Sequence, residues 1–358
     1  MKKIVCTHLY NDYSGSPLVL STVIKGFLKK GFGVDVLTSA SEKGFLSNLE
    51  VNYLENGYKF LNNKYLRLFM FLFCQVKMFV QTLKYRNEES VIYINTLLPF
   101  GVAIAGKLIG KKVIYHIHET SVRPASLKRF LKWIAKMTAD EVIYVSEFLK
   151  KEEGIKGVNG KVIYNALSKE FIEAASKYQK GQEENKRFVV LMLCSLKDYK
   201  GVNEFVTLAK TLPQLTFELV LNADYEEIEE FFRGKRLSEN LVVFPKQSNV
   251  HTFYQRADLV VNLSHPEKWI ETFGMTLLEG MQYGIPSIAP PIGGPTEIVK
   301  NGYNGFQIDQ RETNTLIQKI KNISTDNDLY RQLSVNAKEM ALGFSEEIMC
   351  REVMTLVH

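Results

Sequence analysis

Cysteine is scarce and scattered in this chain. Cys6, Cys74, Cys194 and Cys350 lie far apart and form no C-x-x-C pair, which excludes a zinc ribbon or a disulfide framework and suits a reducing cytosol. H-x-x-H spacing and His/Cys clusters are missing as well, so no residue pattern announces a metal. Asp326–Asn327–Asp328 has D-x-D spacing, but it opens a helical run and reads as an N-cap cluster. The turn after the first strand-like run lacks G-x-G-x-x-G, and no acidic residue closes the second run at Leu37–Thr38–Ser39. Both absences argue against a dinucleotide-dependent oxidoreductase. Arrays of base-stacking aromatics are not apparent, so no nucleic-acid partner is expected. The opening run Met1–Tyr10 reaches Asn11 and Asp12 too soon for a signal peptide, and a cytoplasmic protein is expected.

What is present is an ordinary globular balance, 46% hydrophobic and 23% charged over 358 residues, enough for two domains. The net charge of +6 conceals an asymmetry. Residues 1–165 hold 24 Lys+Arg against 13 Asp+Glu, whereas residues 166–358 hold 21 against 26. A basic half joined to an acidic half implies two domains with different partners, the basic one favouring an anionic surface.

Apolar β-branched runs at 4–9, 34–38, 91–95, 113–117, 142–145 and 162–164 alternate with helical patterns such as 17–30 and 125–137. This predicts parallel β/α units with helices on both sheet faces. A polar stretch from Ser168 to Arg187 reads as helix plus linker, after which strand-like runs return at 188–193, 217–221, 241–244, 259–263 and 287–289. The expected class is therefore α/β, with two Rossmann-like domains and a ligand cleft between them. The expected division is 1–165 and 166–343, with a last helical segment in 344–358.

The densest chemical signal runs from His265 to Ala289. Glu271 and Glu279 stand eight apart, and Phe273–Gly274 between them opens an apolar helix reaching about Tyr283. Glycine at a helix entry lets a ligand approach the backbone, and the N–H groups there favour an anion. At 1.5 Å rise per residue, Glu279 lies roughly 7–8 Å along the axis from Gly274, about the span from a phosphate to its ribose. One carboxylate thus precedes a phosphate site and one lies beyond it, where a nucleotide sugar carries hydroxyl donors.

This segment resembles the E-x7-E signature of glycosyltransferase family 4, a family of retaining enzymes with the two-domain GT-B fold. Lys200–Gly201 resembles the family's lysine-glycine motif, and Gly293–Gly294–Pro295, Glu297 and Asn301–Gly305 resemble its glycine-rich tail. His118, the run Asp140–Ser146 and Asn165 match looser family features of the first domain. The resemblance implies that Glu271 faces the donor sugar, that the N–H groups of Phe273 and Gly274 meet the diphosphate, and that Lys200 neutralises the leaving group. It further implies that Glu279 binds the ribose, that His118 lies beside the donor sugar, and that Gly15 permits close backbone approach. Ser195 stands where the family usually has arginine, and Lys197 is the nearby candidate to replace it. The resemblance also brings the C-terminal helix back onto the first domain.

The implied reaction moves a hexose-type sugar from a nucleotide donor, UDP rather than GDP, without a metal. The acceptor would be a saccharide or lipid-linked saccharide in surface polysaccharide or glycolipid synthesis. A sugar-nucleotide epimerase on the same fold and a non-enzymatic membrane- or nucleic-acid-binding module are the competing readings. His116 is expected to face the opposite side of its strand from His118. Two basic segments bear on an anionic membrane surface as partner. Residues 64–86 are apolar nearly all round, with Arg67, Gln75 and Lys77 making a poor membrane span, and read equally as a buried helix or an interfacial one. Residues 126–136 are basic and amphipathic, with Trp133 as an interface anchor.

Overall fold

A computed structural model describes residues 2–39, 44–177 and 187–357. They divide into two compact units, Met1–Ala166 with Glu346–His358, and Leu167–Ser345. In the first, the Val/Ile/Tyr-rich runs become β1 (Lys3–Thr7), β2 (Gly33–Thr38), β3 (Asn52–Glu55), β4 (Ser90–Asn95), β5 (Lys112–Ile117), β6 (Glu141–Tyr144) and β7 (Asn159–Val162). All pair in parallel, in the order β3-β2-β1-β4-β5-β6-β7. The central strands are buried along their length except at the entering lysines Lys3 and Lys112, which is why they read as continuous apolar runs and not as alternation. Helix Gly15–Lys29 packs its Leu20, Ile24 and Phe27 into this core, and helix Glu346–Val357 adds Met349, Val353 and Val357 beside it. Lys29 pairs with the buried Glu346 at 2.7 Å.

The second unit contains β8 (Val189–Cys194), β9 (Thr216–Leu221), β10 (Leu241–Phe244), β11 (Leu259–Val261), β12 (Ser287–Ala289) and β13 (Gly305–Gln307), again all parallel, in the order β10-β9-β8-β11-β12-β13. Both sheets therefore follow the doubly wound Rossmann order, whose direction of winding reverses beside the first strand. Ligands bind outside the carboxyl ends of the strands at that reversal. The reversals fall between β1 and β4 in one unit and between β8 and β11 in the other.

Three local outcomes differ from the sequence expectations, and a fourth, left open there, is decided. Strands β3 and β13 were not foreseen, being an exposed edge and a three-residue run. The strand expected over 162–164 lies over Asn159–Val162, because Lys161 and Asn159 pair along the edge against β6. His116 shares a strand face with His118, since residues two apart project the same way; their ring centroids are 4.3 Å apart. Helix Lys64–Leu83 buries only Phe71, Cys74, Gln75, Met78 and Thr82, and leaves its other face exposed. Of the stretch expected as helix plus linker, Lys169–Ser176 is helix, and 178–186 lie outside the described residues. Asp326 caps helix Asn327–Ala341, accepting from the N–H groups of Asp328 and Leu329 at 3.1 and 2.9 Å.

Candidate active site

In the second unit, the loops after β8 and β11 leave the sheet at its reversal point. The loop after β8 turns through Ser195 and Lys197 into a short turn Asp198–Lys200, held by Lys197 N–H donating to Ser195 O at 2.8 Å and Lys200 N–H to Lys197 O at 2.9 Å. Gly201 follows at φ 81°, so close to the neighbouring loop that a Cβ would sit 2.3 Å from Leu263 O. No other residue fits there, and the fit aims Lys200 across the strand ends. Its ammonium donates to Glu271 Oε2 at 2.6 Å and lies 5.3 Å from the centre of the Trp269 ring, which stacks on Tyr199. The Lys197 side chain is exposed and, among the described residues, makes no hydrogen bond or ion pair with Lys200 or Glu271.

The segment carrying Glu271 is clamped from below. Gly294 N–H donates to Glu271 O at 3.0 Å, and a Cβ on Gly294 would stand 2.0 Å from Thr272 O. The paired glycines are thus a backbone seat for the Glu271 loop, a role their spacing alone did not disclose. Phe273 is buried, with its ring against Phe344. Gly274, at φ 108°, caps helix Met275–Gln282. Among the described residues, the N–H groups of Gly274, Met275 and Thr276 have no acceptor, leaving a cluster of donors at the positive end of the helix dipole. About one and a half turns along from Gly274, Glu279 accepts from the Tyr254 hydroxyl at 2.6 Å. Burial raises its pKa to about 7, with the Tyr254 bond opposing the shift. Tyr254 in turn stacks on Tyr283, whose hydroxyl meets His251 Nδ1 at 2.6 Å.

The first unit places a second polar group at its own reversal point. Asn95, at the end of β4, donates through Nδ2 to Ser16 O in the first turn of helix Gly15–Lys29 at 3.1 Å, and meets His8 Nδ1 at 3.0 Å. That fixes the amide orientation, so Oδ1 is left to accept from His118 Nε2 at 2.8 Å. His118 therefore carries its proton on Nε2 and presents Nδ1 as an acceptor. Burial, with His116 and His8 adding to it, holds His118 well below the ordinary histidine range, hence neutral. The carboxylate of Glu119 accepts from the N–H groups of Leu97 and His118 at 2.8 and 3.1 Å. A Cβ on Gly15 would meet nothing within 4 Å, so packing within the chain does not require glycine there.

The structure thus brings Lys200, Trp269 and Glu271 together, with the Gly274 donors and Glu279 on the helix that follows. His118 and Gly15 belong to the other unit. Trp269, Tyr254, Asn95 and His8 were not singled out in the sequence. Only the fold assembles them, although Trp269 sits two residues before Glu271. Among the described residues no group of three His, Cys, Asp or Glu is arranged to hold a metal.

Two parallel Rossmann-like domains in one chain, with a cationic lysine and a helix N-terminus at a strand-end reversal, define a GT-B architecture. Residues 13–171 match the family model "Glycosyltransferase Family 4" and residues 174–340 match "Glycosyl transferases group 1". The chain is a glycosyltransferase of the GT-B type, built from these two domains. It is 28% identical over 272 residues to an uncharacterized glycosyltransferase of Methanocaldococcus jannaschii, covering 73% of each chain. It is 23% identical to the N-acetyl-alpha-D-glucosaminyl L-malate synthase of Bacillus anthracis, covering 71% of this chain and 70% of that one. Among solved structures, Anabaena HepE in complex with UDP and glucose superposes with a TM-score of 0.79 at 22% identity, covering 98% of both chains. The same protein has been crystallised with UDP-glucose.

Proposed function

We propose that the protein is a retaining, metal-independent hexosyltransferase. It takes a hexose-type sugar from a nucleotide diphosphate, UDP rather than GDP, and passes it to a hydroxyl of a saccharide or lipid-linked saccharide in surface polysaccharide or glycolipid synthesis. The observation that carries this reading is the Lys200–Glu271 pair beside the Gly274 donors, with Glu279 about one and a half turns further on. A diphosphate seated on those N–H groups brings its charge to Lys200, its sugar to Glu271 and its ribose to Glu279. UDP is favoured because a protein with the same fold binds UDP-glucose. The catalytic groups are Glu271, Lys200 and His118, with Phe273, Gly274, Glu279, Gly15, Ser195 and Lys197 assigned to the donor.

In the reaction the bond from the sugar's anomeric carbon to the β-phosphate oxygen breaks, and a bond to the acceptor oxygen forms on the same face. The acceptor proton passes to the departing phosphate oxygen. Lys200 and the helix dipole stabilise the negative charge arriving on the phosphate, and Glu271 stabilises the positive charge on the sugar. His118, neutral with Nδ1 as acceptor, takes a sugar hydroxyl. Transfer is assigned to the cytoplasmic face of a membrane.

The test is a panel of UDP- and GDP-sugars assayed for slow hydrolysis, with the anomer of the released sugar followed by NMR, with and without EDTA. Expected is release of the α-anomer from an α-linked UDP-hexose at a rate indifferent to EDTA. Inverted product, or activity abolished by EDTA and restored by magnesium, overturns the scheme.

A further inference from the structure

The outer face of helix Lys64–Leu83 is the most exposed apolar surface of the first unit. Tyr65 is 71% exposed, Phe69 67% and Val76 64%, and Leu66, Leu68, Leu72, Phe73 and Val80 are exposed beside them. At helical spacing these eight share one side. The opposite side is fixed to the protein along most of its length. Gln75 Oε1 accepts from Gly101 N–H at 2.9 Å, the Thr7 hydroxyl reaches Met78 Sδ, and Gln81 donates to Glu55 O at 3.1 Å. A helix packed in this way lies on a surface. It cannot span a bilayer, although residues 64–87 are long and apolar enough to do so.

The apolar face has a defined border and a neighbour. No Asp or Glu occurs between Lys64 and Leu83, while Lys64, Arg67 and Lys77 punctuate the helix and Lys84 and Arg86 follow it. Phe71 of this helix meets Phe100 at 5.9 Å between centroids, Phe100 meets Phe130 at 5.3 Å, and Phe130 leads on to Trp133. Those last two lie on helix Ala125–Thr138, whose exposed side presents Arg129, Phe130, Trp133, Lys136 and Met137. Apolar side chains and aromatics on two helices that carry cations and no carboxylate match one partner best: the interface of an anionic bilayer, where acyl chains take the first and headgroups the second.

We propose that the outer faces of helices Lys64–Leu83 and Ala125–Thr138 form a monotopic docking surface for anionic membrane, with the longer helix lying in the interface plane. This deepens the membrane side of the proposed function, and it uses none of the residues assigned to the donor.

The test is co-sedimentation of the full chain with vesicles of phosphatidylcholine alone or containing about one third phosphatidylglycerol. Expected is a preference for the anionic vesicles of about tenfold or more, weakened by high salt and reversed by alkaline carbonate. The triple variant Leu66→Ser, Phe69→Ser, Phe73→Ser should bind them at least about a hundredfold more weakly. Its melting temperature and UDP affinity should be retained, because all three side chains are exposed. Equal binding to both vesicle types, or undiminished binding of the triple variant, overturns the proposal. So does resistance to carbonate, which means a spanning segment, or a lipid-free dimer that the triple variant disperses, which means a copy-to-copy interface. Failure of the enzymatic reading is distinct: it shows as absent turnover of nucleotide sugars by a chain that still binds vesicles.

Discussion

At the scale of single residues, the two glutamates of the helix segment differ in surroundings and should fail differently. Glu271 holds Lys200 in an ion pair at 2.6 Å. Glu271→Gln releases that lysine for a diphosphate, so UDP should bind the variant as well as the parent or better. Turnover should fall instead, because the lost carboxylate acts where positive charge develops as the sugar leaves. Glu279→Gln removes an acceptor present equally before and during reaction, at a cost of about 1.5–3 kcal/mol in donor affinity, or one to two decades. Calorimetry with UDP, set beside single-turnover rates, separates the two; the reverse pattern would reassign the motif to structure. Glu279 also makes a pH prediction. Its pKa of about 7 exceeds the ordinary 4.5 because of burial, so the folded state holds this proton more tightly than the unfolded chain. Its stabilising effect is complete below about pH 4.5 and lost as pH rises through 7, on the order of 3 kcal/mol in all. Glu279→Gln should thus gain stability relative to the parent between pH 5 and pH 8 while binding UDP worse, as paired urea titrations would reveal. Ribose hydroxyls donating to the carboxylate favour its charged form, so UDP affinity should rise from pH 6 to 8, with proton release measurable in buffers of different ionisation enthalpy.

At the scale of elements, the loops and their glycines hold the chemistry in place. Gly294→Ala forces a Cβ against Thr272 O at 2.0 Å, and backbone on both sides cannot yield. The expected cost is about 2–4 kcal/mol in denaturant unfolding, with lost turnover even where the variant remains folded. Wild-type stability and activity in this variant would show the glycine pair to be incidental. The elements themselves were largely legible, because fully buried parallel strands are unbroken apolar runs: ten of the eleven expected runs lie on strands shifted at their ends by no more than two residues. The edge strand Asn52–Glu55 was not legible, since it buries little and leaves no apolar run. Glu271 and Glu279 could be read from their linear spacing, and Lys200 from the family resemblance. Their partners could not, as Tyr254 stands 25 residues from Glu279 and Asn95 stands 23 from His118. Such contacts come from strand order, which one sequence encodes only through the whole fold. The face of His116 was misjudged for a simpler reason, the two-residue period of a strand applied the wrong way round.

At the scale of the whole molecule, the first unit is completed by the last residues of the chain. Helix Glu346–Val357 contributes Met349, Val353, Met354, Leu356 and Val357 to the core around Ile24, Phe27 and Tyr93. Lys29–Glu346 and Lys161–Glu352 tie its first residue and its middle at 2.7 and 2.6 Å. Each buried apolar side chain contributes about 1.5–3 kcal/mol, so five of them together match the roughly 5–15 kcal/mol that keeps a domain of ordinary size folded. The exposed Lys161–Glu352 pair adds little beside this. Deleting residues 346–358 should therefore unfold the first unit, or leave it with loosened packing. The second unit keeps its own core of Val190, Phe205, Phe217, Leu259 and Leu316, none of it supplied by that helix. UDP should still bind the truncated chain within a few-fold, because Lys200, the Gly274 donors and Glu279 all lie in the second unit. Sugar transfer should be lost along with His118. Hydrogen exchange resolved by segment checks this directly: exchange should accelerate throughout β1, β4 and β5 while β8, β9 and β11 keep their protection. Equal acceleration in both sheets, or loss of UDP binding together with the first unit, would mean that the two cores are energetically one.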